Sequence, residues 1–224
     1  MVPLSMHSIC HQNDNYTKNS TYERNLDNAL LTLPTTDSGL GFFNISVGQG
    51  TDRVHSYALC RGDIKHDLCH RCVIDAINNI REDSQIQKVR VFYQPECWLT
   101  YFDKRLPSYV YIVGSSTITA PEPNIFEVAV RSLLGELFKE AANGGSLRKF
   151  AIGKTAGPSS LTIYGFAQCT PYLTKEQCIK CLKNEIPKFL EFAPRASFKK
   201  IDGIFYGVPC NFGYNISPLS TMLM

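Results

Sequence analysis

Apolar residues in this chain switch twice between helical and strand spacing, in the same order. From Tyr22 to Leu33 they recur at Leu26, Ala29, Leu30 and Leu33, which share one face of a helix. Asn19 to Thr21 supply N-cap residues and Pro34 stops the helix. Phe42–Val47 and Val54–Cys60 then read as strands separated by Gly48-Gln49-Gly50-Thr51-Asp52. A second helix spans Lys65 to Arg81, with Cys69, Cys72, Val73, Ala76, Ile77 and Ile80 in one stripe. Lys88–Gln94 and Cys97–Phe102 are strand-like and meet near Pro95-Glu96.

The second half repeats this order. Asn124 to Ala142 predicts a helix with Phe126, Ala129, Val130, Leu133, Leu137 and Phe138 inward, ended by Asn143-Gly144-Gly145. Ala151–Lys154 and Leu161–Cys169 read as strands around Gly157-Pro158. Thr174 caps a helix to about Leu190, and Pro187 is expected to distort its end. Ile204–Val208 and Asn211–Asn215 close the unit. Helices alternating with antiparallel strands give an α+β fold of two tandem domains, one layer of helices on one sheet in each. The boundaries read as residues 1–113, a Ser/Thr/Pro-rich linker 114–123, and residues 124–217.

The cysteines repeat with the same period. Cys60, Cys69 and Cys72 form a C-x8-C-x2-C array, Cys169, Cys178 and Cys181 form it again, and Cys97 and Cys210 follow. Cys97-Trp98-Leu99-Thr100-Tyr101 answers Cys210-Asn211-Phe212-Gly213-Tyr214. Cys69 and Cys72, like Cys178 and Cys181, share a helix face at i, i+3 and are poorly placed to bond each other, so each is set to reach a strand. The natural pairing is Cys60–Cys69, Cys72–Cys97, Cys169–Cys178 and Cys181–Cys210. Zinc is the second use of such sulfurs, but it usually draws ligands in two close pairs, and each copy has one. Redox catalysis at Cys69-His70-Arg71-Cys72 or Cys178-Ile179-Lys180-Cys181 is the third; it asks for a thioredoxin-like context at a helix start, which the pattern lacks. Nine cysteines leave Cys10 over.

Charge excludes little except nucleic acid. Net charge is +3, and Lys and Arg form no long run. No segment approaches the roughly 20 apolar residues needed to cross a bilayer. Met1 to Ser5 is too short for a signal peptide, and the reading is of a secreted, mature or truncated ectodomain whose signal segment is missing. Pro218 to Met224 carries no basic cluster of the kind that flanks a membrane span, which favours a secreted form. Asn15, Asn19, Asn44 and Asn215 each open an N-x-[ST] sequon, the last weakened by Pro218.

These arrays, with Tyr164-Gly165-Phe166-Ala167-Gln168-Cys169-Thr170-Pro171 and Cys210-Asn211-Phe212-Gly213-Tyr214, resemble the plant ginkbilobin-type cysteine-rich repeat, the salt-stress response/antifungal domain. The likeness covers nearly the whole chain. It implies two helices on a five-stranded antiparallel sheet per repeat. It also implies a place among secreted tandem proteins, receptor-like kinase ectodomains or plasmodesmata-located proteins. Family members commonly bond the N-terminal cysteine to another after the second helix. Ser84 stands there, which makes Cys10 an orphaned partner; the second copy has neither cysteine, and Phe192-Ala193-Pro194 occupies the stretch. The founding antifungal protein binds mannose through Asn, Arg and Glu. Those positions fall at His11, near Val91 (Arg90 is one residue off) and near Phe102, so mannose binding does not carry over.

Other chemistry is sparse. His66 and His70 at i, i+4 form the only helical histidine pair and read as solvated. No nucleophile elbow or phosphate loop occurs, and Asp63, Asp67 and Glu176 read as helix-start charges. The sequence therefore predicts a non-enzymatic binding protein without metal or cofactor, recognising a glycan or cell-surface protein. The ectodomain of a receptor-like kinase or plasmodesmal protein is the alternative, and a thiol-disulfide oxidoreductase the third reading.

Overall fold

In a computed structural model, residues 7–10, 15–82, 86–104, 111–144, 149–192 and 197–218 are described. The chain divides into two compact units, one over Leu4–Val110 and the other taking up Tyr111 onward.

The first unit runs β1 (His7–Cys10), α1 (Thr21–Thr32), β2 (Phe42–Val47), β3 (Val54–Cys60), α2 (His66–Glu82), β4 (Arg90–Tyr93) and β5 (Cys97–Phe102). Its five strands pair antiparallel in the order β1-β4-β5-β3-β2. Both helices lie on one face. Leu26, Ala29 and Leu30 of α1 and Cys69, Cys72, Val73, Ala76, Ile77 and Ile80 of α2 are buried against Phe43, Ala58, Phe92, Leu99 and Tyr101. Ser20 caps α1 by accepting the Glu23 N–H at 3.2 Å, and the Glu23 carboxylate reaches back to the Asn19 N–H.

The second unit repeats the plan with β6 (Tyr111–Ser115), α3 (Pro123–Asn143), β7 (Phe150–Ala156), β8 (Thr162–Cys169), α4 (Lys175–Phe192), β9 (Asp202–Gly207) and β10 (Cys210–Asn215). Its sheet order is β6-β9-β10-β8-β7, the same permutation as in the first. Thr174 and Gln177 cap α4 reciprocally, at 3.2 Å and 2.8 Å. Pro187 does not end α4: the helix carries it inside, on an exposed face, and continues to Phe192. The repeat extends to single hydrogen bonds. The Tyr101 hydroxyl donates to the Gln87 carbonyl at 3.0 Å, and its counterpart Tyr214 donates to Ser197 at 3.0 Å.

The five-stranded antiparallel sheet that the resemblance implies is present in each unit, while two readings of the residue pattern change. The hydrophobic pattern gave four strands per copy; the fifth in each is β1 or β6, both edge strands with one neighbour. An edge strand satisfies only one ladder and tolerates short, weakly patterned sequence. Residues 114–123 are also not a free linker. Gly114 and Ser115 belong to β6, and the stretch beyond is bonded to the second unit, Ala120 N–H to Lys199 O at 2.8 Å and Ile201 N–H to Ile118 O at 3.2 Å. The second domain thus begins at Tyr111 rather than at residue 124.

Candidate functional site

The helix–sheet junction of each unit is built from sulfur. Cys60 is bonded to Cys69, Cys72 to Cys97, Cys169 to Cys178 and Cys181 to Cys210, with Cα–Cα distances of 5.6, 6.1, 5.8 and 6.2 Å. Each helix therefore sends one sulfur to each of two neighbouring strands. Glu185 lies with Cys181 and Cys210 in a cluster whose ligand atoms fall within 4.8 Å of one another. Those two sulfurs are bonded to each other and offer a metal no thiolate. Cys10 is in β1, registered opposite Arg90.

Around these bridges the turns are pinned by local charges. Arg61, buried just after Cys60, holds both Asp63 oxygens at 2.6 and 3.0 Å and donates to the Pro95 carbonyl at 3.3 Å. Asp63 thus locks a turn. Glu176, in the first turn of α4, accepts from the Thr174 hydroxyl at 3.0 Å. Its own backbone N–H, then that hydroxyl, hold its carboxyl below the usual range.

Of the mannose-type positions, those at Val91 and Phe102 are described. His11 and Ser84 lie outside the described residues. Val91 and Phe102 are buried, on the face of the first sheet turned away from its helices. Arg90 points the other way, and its guanidinium donates to the Ile80 carbonyl in the last turn of α2 at 3.3 Å. That suits a cation closing a helix C-terminus.

Two relationships escaped the sequence reading. Ser46 Oγ sits 2.7 Å from His55 Nδ1 across β2 and β3, and Phe102 stacks on the imidazole at 5.2 Å between centroids. Burial, then Arg53, lower the His55 pKa, while Asp103 opposes them. The second is Asp37, whose Oδ2 lies 3.0 Å from His66 Nε2. Alternation within a strand predicts neither contact, because both join segments that only the folded sheet brings together.

Of the four sequon asparagines, Asn15, Asn19 and Asn44 are exposed. Asn215 is 8% exposed at the end of β10, and its Oδ1 accepts the Ser217 N–H at 2.9 Å. Among the described residues no helix is long and apolar enough to cross a membrane.

Comparison with known proteins places this geometry. The family profile described as salt stress response/antifungal matches residues 9–104 and 114–217. An antimicrobial ginkbilobin-2-like protein of Castanea crenata is 30% identical over 235 residues, covering 97% of this chain and 93% of its own. The putative cysteine-rich receptor-like protein kinase 9 of Arabidopsis thaliana is 34% identical over 195 residues, 82% of this chain and 73% of that one. The chain spans about a third of the length of other receptor-kinase relatives it matches. In structure it is similar to the tandem DUF26 ectodomain of an Arabidopsis thaliana cysteine-rich receptor-like protein, with TM-score 0.73, 19% identity, and 93% and 95% of the two chains covered.

Proposed function

The chain belongs to the salt stress response/antifungal family, and we propose that it is a secreted, non-enzymatic recognition protein acting in plant stress or defence at the cell surface. The observation that carries this reading is the doubled disulfide junction. It spends eight sulfurs on bonds that persist in oxidising compartments and leaves them no thiolate for catalysis. The occupant is a glycan or a cell-surface protein. Simple mannose recognition of the founding type is disfavoured, because Val91 and Phe102 present buried apolar side chains where polar groups would be needed. An immobilised panel of plant and fungal cell-wall glycans and plant ectodomains tests the proposal. Saturable binding to one class by the oxidised protein, lost on reduction, is expected. A blank panel, or catalytic thiol-disulfide exchange by the same preparation, overturns it.

A second reading, the extracellular part of a receptor-like kinase, is favoured by the chain's matching about a third of such relatives. A transcript running past Met224 into roughly 20 apolar residues decides for it.

A further inference from the structure

Every bridging cysteine is buried except Cys181, which is half-buried in the second turn of α4. An acid stands beside it. Glu185 follows at i+4, on the same helix face, and a carboxylate oxygen lies within 4.8 Å of both Cys181 Sγ and Cys210 Sγ. The Glu185 side chain is 13% exposed. Lys188, three residues further on, donates to its Oε1 at 3.1 Å and lies 2.8 Å from its Oε2.

The duplication supplies the comparison. In α2 the residue at i+4 from the corresponding Cys72 is Ala76, fully buried and uncharged. A neutral amide approaches that bridge instead, with Gln94 Oε1 2.9 Å from Cys72 Sγ. The carboxylate thus accompanies the bridge that solvent reaches, and the enclosed bridge has alanine at the same place. Thiol–disulfide exchange starts with attack by a thiolate on one sulfur. At Cys181 a bond forms from the incoming sulfur to Sγ, the bond to Cys210 breaks, and its electron pair leaves on Cys210 Sγ. A second thiol of the reductant then displaces the first, leaving two protein thiols and an oxidised reductant. Negative charge rests on the sulfurs throughout the first step, within the field of Glu185. We propose that Glu185 is an electrostatic guard of the Cys181–Cys210 bridge, repelling small thiolates at the one bridging residue that is not buried. Lys188 tempers this field without cancelling it, since Cys181 is one helical turn from Glu185 and two from Lys188.

Timed exposure of the intact, oxidised chain to dithiothreitol at constant pH and salt tests the guard. Differential alkylation and mass spectrometry read the opening rate of each bridge. Glu185→Gln should speed the opening of Cys181–Cys210 about fourfold or more, the effect of one unit charge at this range even under water-like screening. Cys72–Cys97 should open at the wild-type rate in the same tube. Lys188→Gln should act in the opposite direction and slow Cys181–Cys210, whereas a variant that merely loosened α4 would speed it. An unchanged rate in Glu185→Gln overturns the proposal. So does an acceleration shared by Cys72–Cys97, or one that Lys188→Gln reproduces.

Discussion

Cys60 and Cys97 are direct register partners on β3 and β5, yet they are bonded to different cysteines of α2, Cys69 and Cys72. Cys169 and Cys210 stand the same way on β8 and β10. Two adjacent strands are thereby tied to one helix at neighbouring points, which fixes both the helix's position and its rotation on the sheet.

The two bridges close loops of unequal size, with sequence separations of 9 for Cys60–Cys69 and 25 for Cys72–Cys97. Chain entropy then assigns about 2.6 kcal/mol to the shorter and about 3.5 kcal/mol to the longer. Cys72→Ala/Cys97→Ala should therefore lower stability by about 1 kcal/mol more than Cys60→Ala/Cys69→Ala. Urea unfolding of the oxidised proteins measures the difference, and a reversed order defeats the entropic account.

Gly41 lies against the shorter bridge. Its φ is +71°, and a Cβ there would meet Cys60 Cβ at 3.2 Å and Cys69 Sγ at 3.4 Å. Gly39 has a similar φ of +79° but open space around it. Gly39→Ala should cost about 1 kcal/mol for the left-handed backbone alone. Gly41→Ala should cost more, because the bridge cannot yield as a free side chain would. Equal losses in a side-by-side melt would remove the packing part of this argument.

Much of this architecture is legible in the sequence, for a physical reason. The stripe of α2, from Cys69 through Ile80, has helical period and is buried as such; β3 and β5 are compact runs of β-branched, aromatic and small apolar residues. β1 and β6 are not legible, since runs of 4 and 5 residues are too short to show a period, whereas the edge strands β2 and β7 run to 6 and 7. The adjacency of Cys60 and Cys97 is also hidden, because it depends on strand order, which is set by contacts far apart in sequence. The same holds for Asp37 beside His66. The sequence shows the pair His66 and His70, but Asp37 arrives from another loop.

Acid should weaken the first domain through His55. Burial and Arg53 lower its pKa in the fold below its value in the unfolded chain. The unfolded state then binds the proton more readily, so this contribution is fully present above about pH 6.5 and fades as pH falls through the folded pKa. Protonation also places a charge against Phe102 and beside Ser46. Replacing His55 by Gln removes the titrating group. The variant should show a smaller loss of stability than the wild type between pH 7 and pH 5, read by denaturant unfolding. A wild-type slope retained in His55→Gln assigns the effect elsewhere.

Glycan occupancy should divide the four sequons by geometry. Asn15, Asn19 and Asn44 are exposed, and Asn44 sits on β2, a sheet edge where a glycan would also obstruct pairing with another chain. Asn215 is different: it is 8% exposed, its Oδ1 is engaged by the Ser217 N–H, and Pro218 follows the sequon. Expression through a plant secretory pathway, followed by glycopeptide mass spectrometry, should find glycan at Asn15, Asn19 and Asn44, with Asn215 bare. Full occupancy at Asn215 would mean that modification precedes closure of β10 onto β8. In that case burial in the folded state does not govern which of these asparagines is glycosylated.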